Sequence, residues 1–235
     1  MKTIEVCLSP ELIHQHELAG KVVVVVDIFR ATSCIVTGLA NGVTAIKPVA
    51  EVEECRELGT QGYLMAGERG GIKVPEFDMG NSPFEYQSEG VKGKKVAIST
   101  TNGSQAIVKS EGADEIVIGA FLNLEAVLEY ILQSKKNVLI HCAGWKGTVN
   151  LEDTLFAGAL IDECAEEMKP IGDTALLAHQ LYIGNHENLF GLAKQSSHAE
   201  RLAGFGIEKD LEFCMTQDEY TVVPRLVNGE LVVNV

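Results

Sequence analysis

Basic side chains are in short supply. Nineteen Lys and Arg stand against 33 Asp and Glu, which leaves a formal net charge of −14. Such a field repels nucleic acid and anionic membrane surfaces, so neither is an expected partner. Proline is scarce at 6 residues, and no linker or low-complexity run interrupts the chain. The longest aliphatic run, Val22–Val26, stops at Asp27, whereas a bilayer span needs about 20 apolar residues. The start, Met1-Lys2-Thr3-Ile4-Glu5, has no apolar leader core. Cys7, Cys34, Cys55, Cys142, Cys164 and Cys214 form no CxxC pair, and no histidines have zinc-ligand spacing on one helix face. A disulfide framework and a structural zinc are therefore unexpected, and reduced thiols in a cytoplasmic protein are expected. Nucleotide fingerprints are missing too: Gly67-x-x-Gly-Gly has no Walker lysine and does not match G-x-G-x-x-G.

What is present is a regular alternation. The chain has 235 residues, 46% of them hydrophobic, and 23 Gly. That length buries roughly 70% of the unfolded surface without staples. Strands are expected at Lys21–Val26, Thr44–Val49, Tyr63–Ala66, Lys95–Ser99, Glu115–Gly119 and Asn137–Cys142. Helices are expected over Thr32–Asn41, Glu51–Leu58, Gln105–Ser110, Leu124–Gln133 and Leu151–Met168. A further helix, Thr174–Lys194, has a weak point at Gly184-Asn185, and a short one starts near Ser197. Gly67 to Asn81 reads as a long loop, and Ser82-Pro83-Phe84-Glu85 as a capping box. Tyr220–Leu226 and Glu230–Val233, around Asn228-Gly229, read as a β-hairpin with a type I′ turn. Strands alternating with helices predict a three-layer α/β/α fold with a mostly parallel sheet. The whole chain, 1–235, is expected to form one α/β domain with a C-terminal hairpin, and its sub-lobes would divide near residue 120. The stretches 22–42 and 96–112 share a strand, loop, helix and Gly order, which is the common look of α/β chains.

In an open parallel sheet, ligands bind outside the carboxyl ends of the strands. The loops there carry Asp27, Arg30 and Thr32; Glu68 and Arg69; Asn81 and Ser82; Thr100, Thr101, Asn102 and Gly103; Asn123; and Glu152 and Asp153. Carboxylates, arginines, hydroxyls and amides on one edge suit a divalent metal together with a phosphate. Magnesium takes carboxylate, water and phosphate oxygens, for which Asp27, Glu68, Glu152 and Asp153 are the candidates. Arg30 and Arg69 can hold phosphate through paired hydrogen bonds. Each residue also has a structural explanation. Asp27 could cap its turn, Arg30 could pair with Asp27, Ser82 could be an N-cap, and Glu152 and Asp153 suit a first helical turn. Cys34 and Cys142 stand near the expected site, but buried inert thiols are the commoner case.

Several strings occur in a characteristic order: Val26-Asp27-Ile28-Phe29-Arg30-Ala31-Thr32, Ala66-Gly67-Glu68-Arg69, Phe77-Asp78-Met79-Gly80-Asn81-Ser82-Pro83, Thr100-Thr101-Asn102-Gly103, Leu122-Asn123, Cys142-Ala143-Gly144 and Glu152-Asp153. In this the chain resembles the 2-phosphosulfolactate phosphatase family. The resemblance is close over about residues 20–165 and looser through Ser196-Ser197-His198 and Val223-Pro224. It implies Mg²⁺-dependent release of phosphate from 2-phospho-3-sulfolactate, a step toward coenzyme M. It points to Asp27, Glu68 and Glu152 or Asp153 around the metal, and to Arg30, Arg69, Asn81, Thr101 and Asn102 around the phosphate.

On this reading the partner is a small anionic phosphorylated metabolite, and the nucleophile is either Asp27 or a metal-oriented water. Ser197-His198 could protonate the leaving alkoxide. A sulfonate would need its own cation, with Lys146 and Arg225 as candidates. A homodimer is the default expectation for a soluble enzyme. Two alternatives stand beside this reading: a phosphatase for another small phospho-acid, and a binding protein that holds a phosphorylated metabolite without turnover.

Overall fold

A computed structural model describes residues 1–233, in which eleven strands form one sheet. In chain order the strands are β1 (Lys2–Cys7), β2 (Lys21–Val26), β3 (Ala45–Pro48), β4 (Leu64–Arg69), β5 (Ile72–Lys73), β6 (Lys95–Ser99), β7 (Glu115–Gly119), β8 (Asn137–Cys142), β9 (Met168–Pro170), β10 (Arg225–Val227) and β11 (Glu230–Val232). The α-helices are α1 (Ala31–Ala40), α2 (Val52–Thr60), α3 (Gly103–Lys109), α4 (Leu124–Ser134), α5 (Leu151–Glu163), α6 (Asp173–Ile183), α7 (Leu189–Ala193), α8 (Ser197–Ala203) and α9 (Glu208–Cys214).

The sheet order is β5-β4-β6-β3-β11-β10-β7-β2-β8-β1-β9. Val22 to Val26 of β2 are fully buried, with β7 on one edge and β8 on the other, both parallel. A β-branched run suits a strand covered on both faces. Two parallel blocks, β4-β6-β3 and β7-β2-β8-β1-β9, are joined through the antiparallel hairpin β10-β11. Arg225 pairs with Val117 of β7, and Leu231 with Ile46 of β3. The hairpin turn has positive φ at both Asn228 and Gly229, as a type I′ turn requires.

Helices cover both faces. Phe156 of α5 lies against Val24 and Gly119, and α4, α5 and α6 pack on one another along β7, β8 and β1. His141, in register with Val25, points the other way and meets Ser110 at the end of α3. This is the three-layer α/β/α arrangement that the alternating pattern predicts. Among the described residues no helix is long and apolar enough to cross a membrane.

Several expected boundaries differ. Met168 ends no helix: α5 stops at Glu163, and Met168–Pro170 forms the parallel edge strand β9 beside Lys2–Ile4 of β1. Pro170 is tolerated there because an edge strand has a free side. The segment from Thr174 breaks after Ile183, near the Gly184-Asn185 weak point, into α6 and α7. The long loop after Ala66 is partly a tight hairpin, since β4 runs on to Arg69 and turns through Gly70-Gly71 into β5. Tyr220–Pro224 lies outside the C-terminal hairpin and is held by Leu122 O, which accepts from Tyr220 N at 2.8 Å. The Ser82 side chain caps nothing: Pro83–Gln87 is a 3-10 turn, and Glu85 reaches back to Gly80 N instead of closing a capping box.

Candidate active site

Asp27 follows β2 directly, at the carboxyl end of this interior strand. Thr32 closes this turn, its hydroxyl accepting from Asp27 N at 3.0 Å and donating to Asp27 O at 2.9 Å. Thr32 is fully buried in that role. Asp153, in the first turn of α5, clamps the next two loops. Its Oδ1 accepts from Ile28 N at 2.9 Å and its Oδ2 from Gly144 N at 3.1 Å. Burial, with Glu152 and Asp27 close by, pushes the Asp153 carboxyl well above the usual range.

The loop after β6 approaches the same turn. Thr100 and Ser104 hydrogen-bond each other's backbone N–H at 3.0 and 3.1 Å, which starts α3. Gly103 then comes so near that an added Cβ would lie 2.5 Å from Ala31 Cβ and 2.8 Å from Asp27 Oδ2. Glycine is required here by space.

Glu68 and Arg69 are neighbours on β4, so strand alternation sends them apart. Glu68 is buried and accepts from Thr101 N at 2.7 Å and Gly71 N at 2.6 Å. Arg69 turns the other way and donates to Ser99 O at 3.0 Å, Ser99 Oγ at 2.8 Å and Ala50 O at 3.2 Å. It ties β4 to the end of β6 and does not line the cavity.

That cavity, of about 250 Å³, opens among these strand ends. Of the residues expected at the site, Asp27, Arg30, Glu68, Asn81, Thr101 and Asn102 line it. Thr32, Ser82, Thr100, Gly103, Asn123, Glu152 and Asp153 do not. Asn123 works elsewhere, accepting from Ala120 N at 2.9 Å and donating to Val222 O at 2.9 Å. Lys146 sits 4.7 Å from the centre of the Trp145 ring and borders a smaller neighbouring cavity. Arg225 lies on the hairpin, over Tyr130.

The C-terminal helices supply the rest of the wall. Arg30 forms a buried ion pair with Asp210 of α9. His198 of α8 lines the cavity, and its Nδ1 lies 2.6 Å from Glu152 Oε1. Glu152 is fully buried behind it, with Oε2 unpartnered. Nε2 is the nitrogen left for the cavity. Arg201, one helical turn after His198, shares its face of α8 and also lines the cavity, beside Trp145. Ser196 caps this helix by accepting from Ala199 N at 3.0 Å. The Ser196-Ser197-His198 string signals the helix start and the histidine. Nothing comparable in the sequence marks Arg201 or Asp210, which reach the site only through tertiary packing.

The electrostatics are lopsided. Asp27 and Glu68 line the cavity with Arg30 and Arg201, and two more carboxylates lie behind the wall, Glu152 against His198 and Asp210 against Arg30. Burial pushes the Asp27 carboxyl up to about 6; His198 opposes that, and Glu68 and Glu152 add to it. The thiols of Cys34 and Cys142 are fully buried, which pushes both well above their usual range and leaves them inert. Among the described residues, no three His, Cys, Asp or Glu side chains gather closely enough to hold a metal alone. The oxygen donors at the cavity include Asp27, Glu68 and Asn81, and the buried Asn81 Oδ1 has no partner among the described residues. Such a set fits magnesium, which takes one or two carboxylates and leaves its other positions to water and substrate.

The family described as 2-phosphosulpholactate phosphatase matches residues 7–229 of the chain. A protein of Thermotoga maritima named a probable 2-phosphosulfolactate phosphatase is 44% identical over 206 residues, covering 88% of this chain and 89% of its own. Relatives of the same name from Caldanaerobacter subterraneus subsp. tengcongensis and Clostridium acetobutylicum are 40% and 38% identical. They cover 92% and 97% of this chain, and 92% and 99% of their own.

Proposed function

The chain belongs to the 2-phosphosulfolactate phosphatase family, and on that premise we propose that it hydrolyses the phosphate ester of 2-phospho-3-sulfolactate with the help of Mg²⁺. The observation that carries the proposal is the meeting of Asp27, Glu68 and Arg30 with the Glu152–His198 pair around one cavity.

Hydrolysis forms a bond from a water oxygen to phosphorus and breaks the one to the ester oxygen; the water gives up a proton, and the leaving oxygen must gain one. His198 is placed to give it. Glu152 holds Nδ1 and orients the ring, which leaves Nε2 for the ester oxygen. Arg30 is held in place by Asp210 and offers its remaining N–H groups to phosphate oxygens. Thr101 and Asn102 complete the polar wall.

Asp27, Glu68 and Asn81 Oδ1 would hold the magnesium ion, which when bound supplies Lewis-acid polarisation and offsets the surplus of carboxylates. That surplus supports the metal reading. Asp27 and Glu68 on the wall, backed by the buried Glu152 and Asp210, would otherwise repel a multiply charged ester.

A panel of phosphomonoesters, read by phosphate release, tests the substrate. The highest kcat/KM is expected for 2-phospho-3-sulfolactate. Faster turnover of another phospho-acid would keep the chemistry and replace the substrate. Release from none of them would contradict the phosphatase reading.

A further inference from the structure

We propose that Arg201, stacked on Trp145, binds a second acidic group of the substrate and so sets the preference for phosphate esters that carry another oxyanion. This inference rests on the proposed phosphatase reading for its substrate. Its test includes a binding arm that does not need turnover.

The Arg201 guanidinium carbon lies 3.6 Å from the centre of the Trp145 ring. That is full stacking contact, and it holds the planar fork in one orientation. Arg201 Nη1 donates to Ser197 O at 3.1 Å, within its own helix. Nη2 is buried and has no partner. A buried guanidinium N–H without an acceptor is costly unless something else fills that place. The wall it belongs to is the cavity wall, shared with Trp145 and His198.

Lys146 borders the neighbouring cavity, and the other arginines considered for the site are already engaged. Arg30 is paired with Asp210, Arg69 is spent on Ser99 and Ala50, and Arg225 lies on the hairpin over Tyr130. Among the described residues, Arg201 is thus the cavity guanidinium with no carboxylate bound to it. Its fork matches a sulfonate or a carboxylate through two parallel hydrogen bonds. The phosphate belongs beside Asp27 and Arg30, on β2 and its turn. Arg201 enters from α8, on a separate element, so two oxyanions of one small molecule can be held at once. Trp145 acts as a positioning residue.

Trp145 is the single tryptophan of the chain, so its fluorescence reports on this place. Sulfolactate, which lacks the phosphate, is titrated into wild type and Arg201→Gln, with affinity read by calorimetry and Trp145 emission followed in parallel. A saturable emission change in wild type is expected, with binding weakened about 100-fold in the variant. Equal affinity in the two proteins, or binding without any change in emission, would overturn the inference. This holds whether or not any ester is hydrolysed, so binding that depends on Arg201 without turnover would sink the phosphatase reading alone.

The kinetic arm compares 2-phospho-3-sulfolactate, 2-phospholactate and isopropyl phosphate. In Arg201→Gln the preference for the first over the last should fall about 100-fold. A similar fall for 2-phospholactate assigns the carboxylate to Arg201, and a fall confined to the sulfonate-bearing ester assigns the sulfonate. An unchanged preference, with all three esters slowed alike, would overturn the inference. Should Arg201→Gln not fold, Arg201→Lys keeps the charge and loses the fork. It should show a smaller fall in the same ratio, and no fall would count against the proposal.

Discussion

Glu152 Oε1 lies 2.6 Å from His198 Nδ1, joining the first turn of α5 to the first turn of α8. A buried carboxylate thus orients a histidine at the cavity. Replacing His198 by Gln should lower kcat by about 10²- to 10⁴-fold on an alkyl ester, the usual range for a lost general acid. An aryl phosphate, whose leaving group needs little protonation, should be slowed far less. Equal loss on both esters would remove His198 from the proton step. Glu152→Gln should give the same split with a smaller loss.

The Arg30–Asp210 pair makes a different prediction. Both partners are buried. Asp210→Ala leaves the guanidinium without its partner, and breaking such a pair costs about 3–5 kcal/mol. Urea unfolding should show that loss, and a variant as stable as wild type would show that Arg30 finds another partner.

Gly103 tests how closely the α3 loop presses on Asp27. The methyl of Gly103→Ala would intrude 2.5 Å from Ala31 Cβ and 2.8 Å from Asp27 Oδ2. Overpacking of this kind costs about 1–3 kcal/mol. Displacement of Asp27 should lower kcat/KM by up to about 100-fold. Wild-type kcat/KM in a folded variant would show that Asp27 tolerates the shift.

His141 predicts the acid limit of stability. Burial lowers its pKa from 6.5 to about 4. Between those values the unfolded chain holds a proton that the folded chain refuses. This stabilisation is fully present above pH 6.5 and is lost as pH falls toward 4, by about 3 kcal/mol in all. His141→Asn cannot titrate, so its stability should fall less steeply over that window. Parallel curves for the two proteins would contradict the assignment.

The sequence spoke most clearly where local chemistry decides. Val22–Val26 reads as a buried strand, and the rule that ligands sit beyond strand carboxyl ends picks out Asp27 and Glu68, both of which line the cavity. Arg69 turns away from the cavity for a local reason. The strand was expected to stop at Ala66, and its extension to Arg69 brought in the alternation that turns this side chain away. Asp153 matches the pattern of a site acid but lies outside the cavity lining, where its two oxygens hold the Ile28 and Gly144 N–H groups.

Other features were out of reach for topological reasons. The Asn228-Gly229 turn announced a hairpin but not its neighbours, which are set by Val117 and Ile46, far away in the chain. Edge strands β5 and β9 are two and three residues long, too short for periodicity to register. Arg201 and Asp210 sit on short helices at the far end of the chain, and only packing brings them to Asp27.

The most direct test is phosphate release from 2-phospho-3-sulfolactate by wild type and Asp27→Asn, each with Mg²⁺ and with EDTA. Release that needs Mg²⁺ and falls about 1000-fold in the variant is the predicted result. Wild-type rates in Asp27→Asn, or full activity in EDTA, would contradict the account.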